Sequence, residues 1–303
     1  MLADNPEPAR PELAPGLYLV ATPIGNLEDI TLRALRVLKS ADRIACEDTR
    51  QTQKLLNHYQ IATSTLSLHQ HNERERAHEL IADLKAGRRI AVVSDAGTPG
   101  ISDPGSWLIQ AAIAANIPVY PIPGANAAVS ALIASGLSTT DFQFLGFLPE
   151  KAGARRTRLE ELSQAPGNEA ARTLIFYEAP HRILETLADV ESVWGSALRV
   201  VVARELTKLH EEFLRGTVAE VKSNLAARDR IRGEITLLVE AVPVTSEQQS
   251  MGSLLDQLHR LETSEGLSEK EALKRIARES SQSKSDVYRE LQRERAKGFS
   301  KPR

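Results

Sequence analysis

The sequence predicts an α/β protein of two lobes, with a parallel sheet in the N-terminal lobe, a mixed sheet in the C-terminal lobe and a small helical C-terminal appendage. The chain has 303 residues, 42% hydrophobic and 26% charged, which suits a globular protein of two domains of roughly 100 to 150 residues each. Apolar, β-branched runs alternate with helical patterns, and loops rich in Gly, Pro, Asn and Asp separate them. Such alternation is typical of parallel sheets.

Eight segments are predicted strands, four in each half of the chain. They are Leu17–Ala21, Arg43–Cys46, Ile90–Ser94, Val119–Pro121, Phe142–Phe147, Thr173–Tyr177, Arg199–Ala203 and Glu234–Glu240. Residues 90–94 and 199–203 are apolar throughout, as expected of strands that helices cover on both faces. A further strand around Glu211–Gly216 comes before Glu234–Glu240 without an obvious helical crossover, so we predict that the second sheet is mixed.

Helical patterns fill the intervals between these strands. The predicted helices include Thr31–Ser40, Glu73–Ala86, Pro104–Ala115, Ala127–Ala134 and His181–Val193. A strand series ends before Pro123-Gly124 and a new one begins after the next helix, so we place the lobe boundary there. The domains are then a flexible N-terminus (1–15), an N-terminal α/β lobe (16–123), a C-terminal α/β lobe (124–242) and a helical basic tail (251–303).

The tail follows a polar linker, Pro243–Ser250, and predicts two or three short amphipathic helices. Ser268 and Glu271 have the spacing of a capping box. One helix face carries Leu273, Ile276 and Ala277, the next carries Val287, Tyr288 and Leu291, and Ser281–Ser285 form the turn. The pattern resembles a helix-turn-helix, and a packed helical cap without a ligand is the alternative.

The charge of the tail differs from that of the rest of the chain. Residues 268–303 carry 11 Lys/Arg and 6 Asp/Glu, whereas residues 1–267 carry 27 and 34. A basic tail on an acidic body indicates a polyanionic partner, although a solvated helical face is the commoner meaning of a charge run.

Several protein classes are excluded by composition. No apolar run approaches the ~20 residues that span a bilayer, and residues 1–15 are polar and Pro-rich where a signal peptide is apolar. We therefore expect a cytoplasmic protein without a membrane partner. The single cysteine, Cys46, excludes an intramolecular disulfide and a thiolate zinc cluster, and is expected to be a small buried residue. We find no spacing typical of a metal site, so no metal is expected.

Four loops rich in Gly, Pro and small polar residues follow predicted strands. They are the first loop, Thr22–Asn26, the second loop, Ser94–Gly105, the third loop, Pro121–Asn126, and the fourth loop, Tyr177–Arg182. Ligands of open parallel sheets bind beyond the carboxyl ends of the strands. Glycines let backbone approach a ligand closely, and prolines fix a loop beforehand. The loops favour a nucleotide-like cofactor over ordinary turns, and they match neither a Walker loop nor a dinucleotide fingerprint.

An ordered set of motifs resembles a known family. The segments are Leu19–Asp29, Cys46–Arg50, Val93–Gly105, Pro123–Ala127, Leu145–Pro149, Leu174–Arg182 and Ala203–Lys208. Together they resemble the ribosomal RNA small subunit methyltransferase I family, the cytidine 2′-O-methyltransferase branch of the tetrapyrrole methylase superfamily. The resemblance implies a two-lobed homodimer that holds S-adenosylmethionine between its lobes and methylates a cytidine of small-subunit (16S) ribosomal RNA. The first loop is less glycine-rich than in porphyrin-modifying relatives, which favours the RNA branch.

The same resemblance assigns residues to the cofactor. From the second and third loops it implies Ser94, Asp95, Ala96, Gly97, Thr98, Asn126 and Ala127, and from the second lobe Tyr177, Glu234 and Thr236.

A ribose 2′-hydroxyl is a poor nucleophile, so the site has to orient it and accept its proton or stabilise the alkoxide. Candidate catalytic residues near the cleft are Glu178, Lys208 and Glu205. Glu178 is either a general base or a wall of the cofactor pocket, and Lys208 either acts on the alkoxide, grips a phosphate or is a plain surface residue. His181 is expected to begin a helix rather than titrate.

Arg50, Arg182 and Arg204 are assigned to RNA phosphates or to carboxylate pairing. Two other functions stay open from sequence alone. One is a tetrapyrrole (porphyrinoid) C-methyltransferase with the same cofactor. The other is a ribosome-assembly factor that keeps the fold without turnover.

Overall fold

The computed structural model describes most of the chain up to residue 241 and parts of the C-terminal segment. The described residues are 13–69, 72–103, 105–164, 171–241, 254, 258, 261, 267–279, 284, 287–289 and 291–292. The chain divides into two units, one of residues 1–162 and 171–241, and one of residues 163–170 and 242–303. The predicted flexible N-terminus (except residues 13–15), the linker Pro243–Ser250 and nearly all of the turn Ser281–Ser285 lie outside the described residues.

The first sheet of the larger unit is parallel, as predicted, and has five strands, one more than the four predicted in this lobe. Its strands are β1 (Gly16–Val20), β2 (Arg43–Cys46), β3 (Thr65–Ser67), β4 (Arg89–Val93) and β5 (Val119–Ile122), in the order β3-β2-β4-β1-β5. The carboxyl ends of β1, β4 and β5 therefore meet at one edge, where the first, second and third loops begin.

Helices cover both faces of this sheet. They are α1 (Leu32–Ser40), α2 (Thr49–His58), α3 (Glu73–Lys85) and α4 (Ser106–Ala114). Alternate residues of one strand enter opposite cores: Val20 packs among side chains of α1 and α2, whereas Leu17 packs among those of α3 and α4. Cys46 is buried in the first of these cores, which confirms its expected place.

The second sheet is mixed, as predicted. Its strands are β6 (Phe142–Phe147), β7 (Arg172–Glu178), β8 (Arg199–Arg204), β9 (Glu212–Thr217) and β10 (Ile235–Ala241). The order is β6-β7-β10-β8-β9, in which β6 and β7 pair parallel and the other neighbours pair antiparallel. Because β10 runs against β7 and β8, its beginning lies beside their carboxyl ends.

Helices also cover the second sheet. They are α5 (Ala127–Ser135), α6 (Ala152–Gln164), α7 (Ile183–Trp194) and α8 (Val218–Ala226). Side chains of α5 pack on one face of the sheet, and side chains of α6, α7 and α8 pack on the other. All eight strands predicted from sequence are confirmed, with ends shifted by at most one residue.

Two predicted helices begin two residues later than expected. The helix predicted from Pro104 begins at Ser106, because the Glu73 carboxylate accepts hydrogen bonds from the N–H groups of Gly105 and Trp107 (3.0 and 2.9 Å) and so caps α4 there. Pro104 itself is outside the described residues. The helix predicted from His181 begins at Ile183, after a turn that the Arg182 N–H closes on the Ala179 carbonyl.

The C-terminal unit contains α9 (Glu269–Glu279). The Ser268 N–H donates to the Glu271 carboxylate at 3.1 Å, which is one half of the predicted capping box, and the Ser268 hydroxyl donates to the same carboxylate. The predicted apolar side chains form one buried cluster: Leu273, Ile276, Ala277, Val287 and Leu291. Tyr288 was predicted on that face, but half of it is exposed, because it adjoins Val287 on the helix and points away. No helix within the described residues is long and apolar enough to span a membrane.

Candidate functional site

A cleft lies where the loops of the first sheet face the carboxyl ends of β7 and β8 and the start of β10. Its volume is about 380 Å³, which lies within the ~300–1,000 Å³ of ordinary ligand pockets. Most of the residues predicted to bind the cofactor line it. They are Asp95, Ala96, Gly97, Thr98, Asn126, Ala127, Tyr177, Glu234 and Thr236.

The second loop is fixed by neighbouring loops before it meets any ligand. Gly97 and Thr22 exchange two backbone hydrogen bonds of 2.8 and 3.0 Å, and the Thr98 hydroxyl donates to the Ala125 carbonyl. Gly97 has a φ of +87, a backbone angle that residues with a side chain rarely adopt. A Cβ added at this position would lie 3.4 Å from Ile24 Cγ2. Ser94 is buried behind the loop, with its hydroxyl 3.3 Å from the Ala96 carbonyl, and does not line the cleft.

The start of α5 brings the third loop to the cleft. The Asn126 side chain caps this helix by accepting from the Val129 N–H at 3.1 Å. Across the cleft, the Tyr177 ring packs edge-on against Phe144 and Phe147, with centroids 4.9 and 5.7 Å away. Burial raises the pKa of the Tyr177 hydroxyl, and a hydrogen bond from the Ala128 backbone N–H acts in the opposite direction. Tyr177 thus joins β7 to the N-terminus of α5.

The Glu178 carboxylate is fully engaged inside the protein. Its side chain has no exposed surface. It accepts hydrogen bonds from the Thr186 hydroxyl at 2.6 Å and from the Ala179 N–H at 2.8 Å, and the Arg182 Nε lies 3.3 Å away. Arg182 also donates to the Leu148 carbonyl. Of its two predicted roles, this environment favours the pocket wall over the general base.

Lys208 forms a bridge between two glutamates at the rim of the cleft. Its Nζ lies 2.8 Å from Glu205 Oε1 and 3.0 Å from Glu234 Oε2. Burial disfavours the charged amine, but the hydrogen bonds to both carboxylates outweigh it and raise the pKa of Lys208. The hydrogen bond from Lys208 lowers the pKa of Glu205. A Cβ at Gly25 would lie 2.4 Å from Lys208 Cγ, so the first loop packs directly on this bridge.

The three arginines assigned to RNA differ in exposure. Arg204 is bound to the Glu212 carboxylate at 2.9 Å and the Arg232 carbonyl at 3.1 Å, with 17% of its side chain exposed. Arg182 is only 14% exposed. Arg50, at the start of α2, is 88% exposed and pairs with Asp48. The geometry therefore favours carboxylate pairing for Arg182 and Arg204 and leaves Arg50 accessible to a partner.

Sequence reasoning did not single out several residues of the cleft. Ile24, Phe147, Leu206 and Asp103 all line it. Asp103 is half-buried, and burial together with the nearby Glu47 and Asp95 carboxylates raises its pKa to about 6. Asp103 belongs to the second loop, which the sequence predicted to lie near a ligand. The sequence did not show that the Asp103 side chain lines the cleft.

Comparison with known proteins agrees with this architecture. The family model described as Tetrapyrrole (Corrin/Porphyrin) Methylases matches residues 16–222. The chain is 51% identical over 275 residues to ribosomal RNA small subunit methyltransferase I of Halalkalibacterium halodurans, covering 90% of this chain and 93% of the relative. It is 47% identical over 273 residues to the protein of the same name from Synechocystis sp., covering 90% and 95%.

Among solved structures, uroporphyrin-III C-methyl transferase from Thermus thermophilus complexed with S-adenyl homocysteine shares the fold. The TM-score is 0.51 and the identity 18%, and the alignment covers 75% of this chain and 98% of the other. The chain therefore belongs to the tetrapyrrole (corrin/porphyrin) methylases and, within them, to the ribosomal RNA small subunit methyltransferase I family.

Proposed function

We propose that this protein is an S-adenosylmethionine-dependent methyltransferase that 2′-O-methylates a cytidine of small-subunit (16S) ribosomal RNA. The observation that carries the proposal is a cleft built from the family's ordered loops in a chain that is half identical to relatives named for this RNA. A related fold has been solved with S-adenyl homocysteine, which supports the same cofactor here.

The residues of the cleft fit that cofactor. Gly97 presents backbone where a Cβ would narrow the space, and the start of α5 brings Asn126 and Ala127 to the cleft. Ile24 and Leu206 give an apolar wall, and Asp95 supplies negative charge. When bound, S-adenosylmethionine supplies a methyl group on a positively charged sulfonium. We propose that Ser94 supports the second loop from behind rather than touching the ligand.

We propose that Lys208, Glu205 and Glu234 position the site. Their hydrogen bonds hold the start of β10 against the first loop, since the Glu205 carboxylate also accepts from the Glu234 N–H at 3.0 Å. A carboxylate with a lowered pKa is a weak base, so Glu205 is poorly suited to accept a proton from a hydroxyl. Glu178 likewise has its oxygens committed to Thr186, Ala179 and Arg182.

The RNA acceptor is supported by features away from the chemistry. Arg50 is exposed at the end of the first sheet that carries the cleft loops, and the tail at residues 268–303 has an excess of five positive charges. We propose that both contact phosphates of the small ribosomal subunit in the cytoplasm. We also propose a homodimer, supported by Val129 and Ile133, which are exposed one turn apart on α5.

One experiment separates this function from a porphyrinoid methyltransferase and from a ribosome-assembly factor. Purified protein is incubated with methyl-labelled S-adenosylmethionine and either small ribosomal subunits or uroporphyrinogen. We expect label in the RNA only. Label in the porphyrinogen would instead support C-methylation, and cofactor binding by calorimetry without label in either acceptor would indicate a factor without turnover.

A further inference from the structure

Transfer of a methyl group to a ribose hydroxyl leaves a proton that has to be taken up near the reacting oxygen. The identity of this base rests on the proposed function, because that function makes a ribose hydroxyl the methyl acceptor. Four carboxylates line the described part of the cleft: Asp95, Asp103, Glu178 and Glu234. Their surroundings differ enough to distinguish them.

Three of the four are committed to other groups. Glu178 is enclosed by two hydrogen-bond donors, Thr186 and Ala179, and by the Arg182 guanidinium, with which it forms an ion pair. Asp95 accepts from the Asp48 N–H at 3.1 Å and so ties the second loop to the end of β2. Glu234 is paired with Lys208 and lies largely in solvent, where water competes for any proton. These arrangements suit positioning better than proton transfer.

Asp103 differs from the other three carboxylates in how the backbone on either side of it holds it at the cleft. It follows Ser102, which has a left-handed φ of 62, and precedes Gly105, whose N–H is held by Glu73. The loop also approaches the second sheet, because a Cβ at Gly146 of β6 would lie 3.2 Å from Ser102 Oγ. Backbone turns on both sides therefore fix Asp103 on the wall of the cleft.

The charged and polar groups around Asp103 come from three elements. Glu47 follows β2, Asp95 and Ser94 follow β4, and Tyr177 on β7 is close enough across the cleft for the Asp103 charge to raise its pKa. Asp103 thus faces the second sheet from the first, with the space of the cleft beside it.

We propose that Asp103 is the catalytic base that accepts the proton of the ribose hydroxyl. A lone pair of the hydroxyl oxygen forms the new O–C bond, the electrons of the C–S bond remain on sulfur, and the proton passes to an Asp103 carboxylate oxygen. One positive and one negative charge disappear together, which a cleft of low dielectric constant favours. The proton returns to water when the product leaves.

The acidity of Asp103 agrees with this role. Burial, and then Glu47, raise its pKa to about 6, while the nearby Ser94 hydroxyl acts in the opposite direction. A base with a pKa slightly below neutral is mostly ionised at pH 7 and still holds a proton better than an ordinary aspartate. The rate should therefore rise with pH through a midpoint near 6 and then level off.

The test compares wild type, Asp103→Asn and Glu47→Gln on small subunits. Asp103→Asn should lower kcat by ~10²-fold or more while KM for subunits and the calorimetric affinity for S-adenosylmethionine stay within about twofold. Glu47→Gln removes a neighbouring charge, so the acid limb of its pH–rate profile should move below 6 with the plateau retained. Carbon NMR of the labelled Asp103 carboxyl should show the same downward movement of its pKa, independently of turnover.

The outcomes separate the two proposals. If wild type labels RNA and Asp103→Asn does so at a similar rate, the assignment of the base is overturned and the proposed function stands. An acid limb and a carboxyl resonance that do not move in Glu47→Gln also overturn it, even if Asp103→Asn fails to fold. If wild type labels no RNA while it binds S-adenosylmethionine, the proposed function fails and the base assignment fails with it.

Discussion

Replacing Glu178 with Ala tests whether this carboxylate supports the pocket or performs chemistry. The substitution removes the acceptor of the Thr186 hydroxyl and the Ala179 N–H and the counter-charge of Arg182. Thr186 has no exposed surface, so its hydroxyl loses a buried acceptor. From sequence alone this variant is expected to fold normally, and the buried network changes that expectation.

The size of the effect follows from the partners. Breaking a buried charged pair by removing one member typically costs about 3–5 kcal/mol. Arg182 keeps its hydrogen bond of 2.9 Å to the Leu148 carbonyl, which offsets part of this cost. We therefore expect the free energy of unfolding to fall by about 3 kcal/mol, and by less in Glu178→Gln, which keeps one acceptor oxygen.

Urea denaturation measures this change. The free energies of unfolding can be compared directly if the slope m, their dependence on urea concentration, is the same in the variants. Glu185→Ala is a matched control on α7, because Glu185 also pairs with an arginine but is 70% exposed. The Glu185 carboxylate lies mostly in solvent, and its buried partner Arg155 keeps its ion pair with Asp189 at 2.6 Å, so the control should stay close to wild type. If Glu178→Ala unfolds like wild type yet fails to methylate RNA, our reasoning is refuted and Glu178 returns as the candidate base.

Further predictions concern the loop, the bridge, an edge of the second sheet and the tail. Gly97→Val should abolish S-adenosylmethionine binding in calorimetry, because a β-branched residue strains φ +87 and narrows the cleft; wild-type affinity would remove the second loop from the site. Lys208→Ala should lower the methylation rate by ~10²-fold, in the range for loss of a positioned charge, and an unchanged rate would make Lys208 a plain surface residue. Glu212, whose pKa is lowered to about 2 chiefly by Arg228, should stabilise the fold above the unfolded pKa of 4.5 and lose that contribution as the pH falls through about 2. Glu212→Gln should accordingly cost about 1–2 kcal/mol at pH 7 and less at pH 3, and an equal cost at both values would contradict this. A chain ended at Val244 should bind the cofactor but methylate small subunits poorly. The slope of the logarithm of its RNA affinity against the logarithm of salt concentration should be shallower by about 0.7–0.9 for each phosphate that the tail neutralises in the intact protein. If rate and slope match those of the intact chain, the tail is a packing cap.

Much of the fold was predictable because the spacing of apolar residues along the sequence differs between strands and helices. The exceptions have physical causes. Strand β3 has three residues and no apolar run, and α2 has only two apolar residues, Leu55 and Leu56, so neither offers an apolar pattern long enough to recognise. In α6 a buried position belongs to Arg155, which pairs with Asp189 at 2.6 Å and hides the apolar stripe.

The site was predictable as a set of loops but not as a set of contacts. The loops left local signals, because close backbone approach to a ligand favours Gly and Pro, whereas the resemblance to the family assigned individual residues such as Gly97 and Asn126. Thr186, a partner of Glu178, lies 8 residues away from it in the sequence, and Glu234, a partner of Lys208, lies 26 residues away. Such pairings depend on how strands and loops meet, so the sequence left the roles of these residues open.

The most direct test of the central claim is the identity of the methylated nucleoside. Small subunits that lack prior methylation are incubated with the purified protein and S-adenosylmethionine, and their RNA is digested to nucleosides and examined by mass spectrometry. We predict 2′-O-methylcytidine, with the added mass on the ribose, and its absence when Gly97→Val replaces wild type. Methyl groups on a base, or no methylated cytidine at all, would contradict the account.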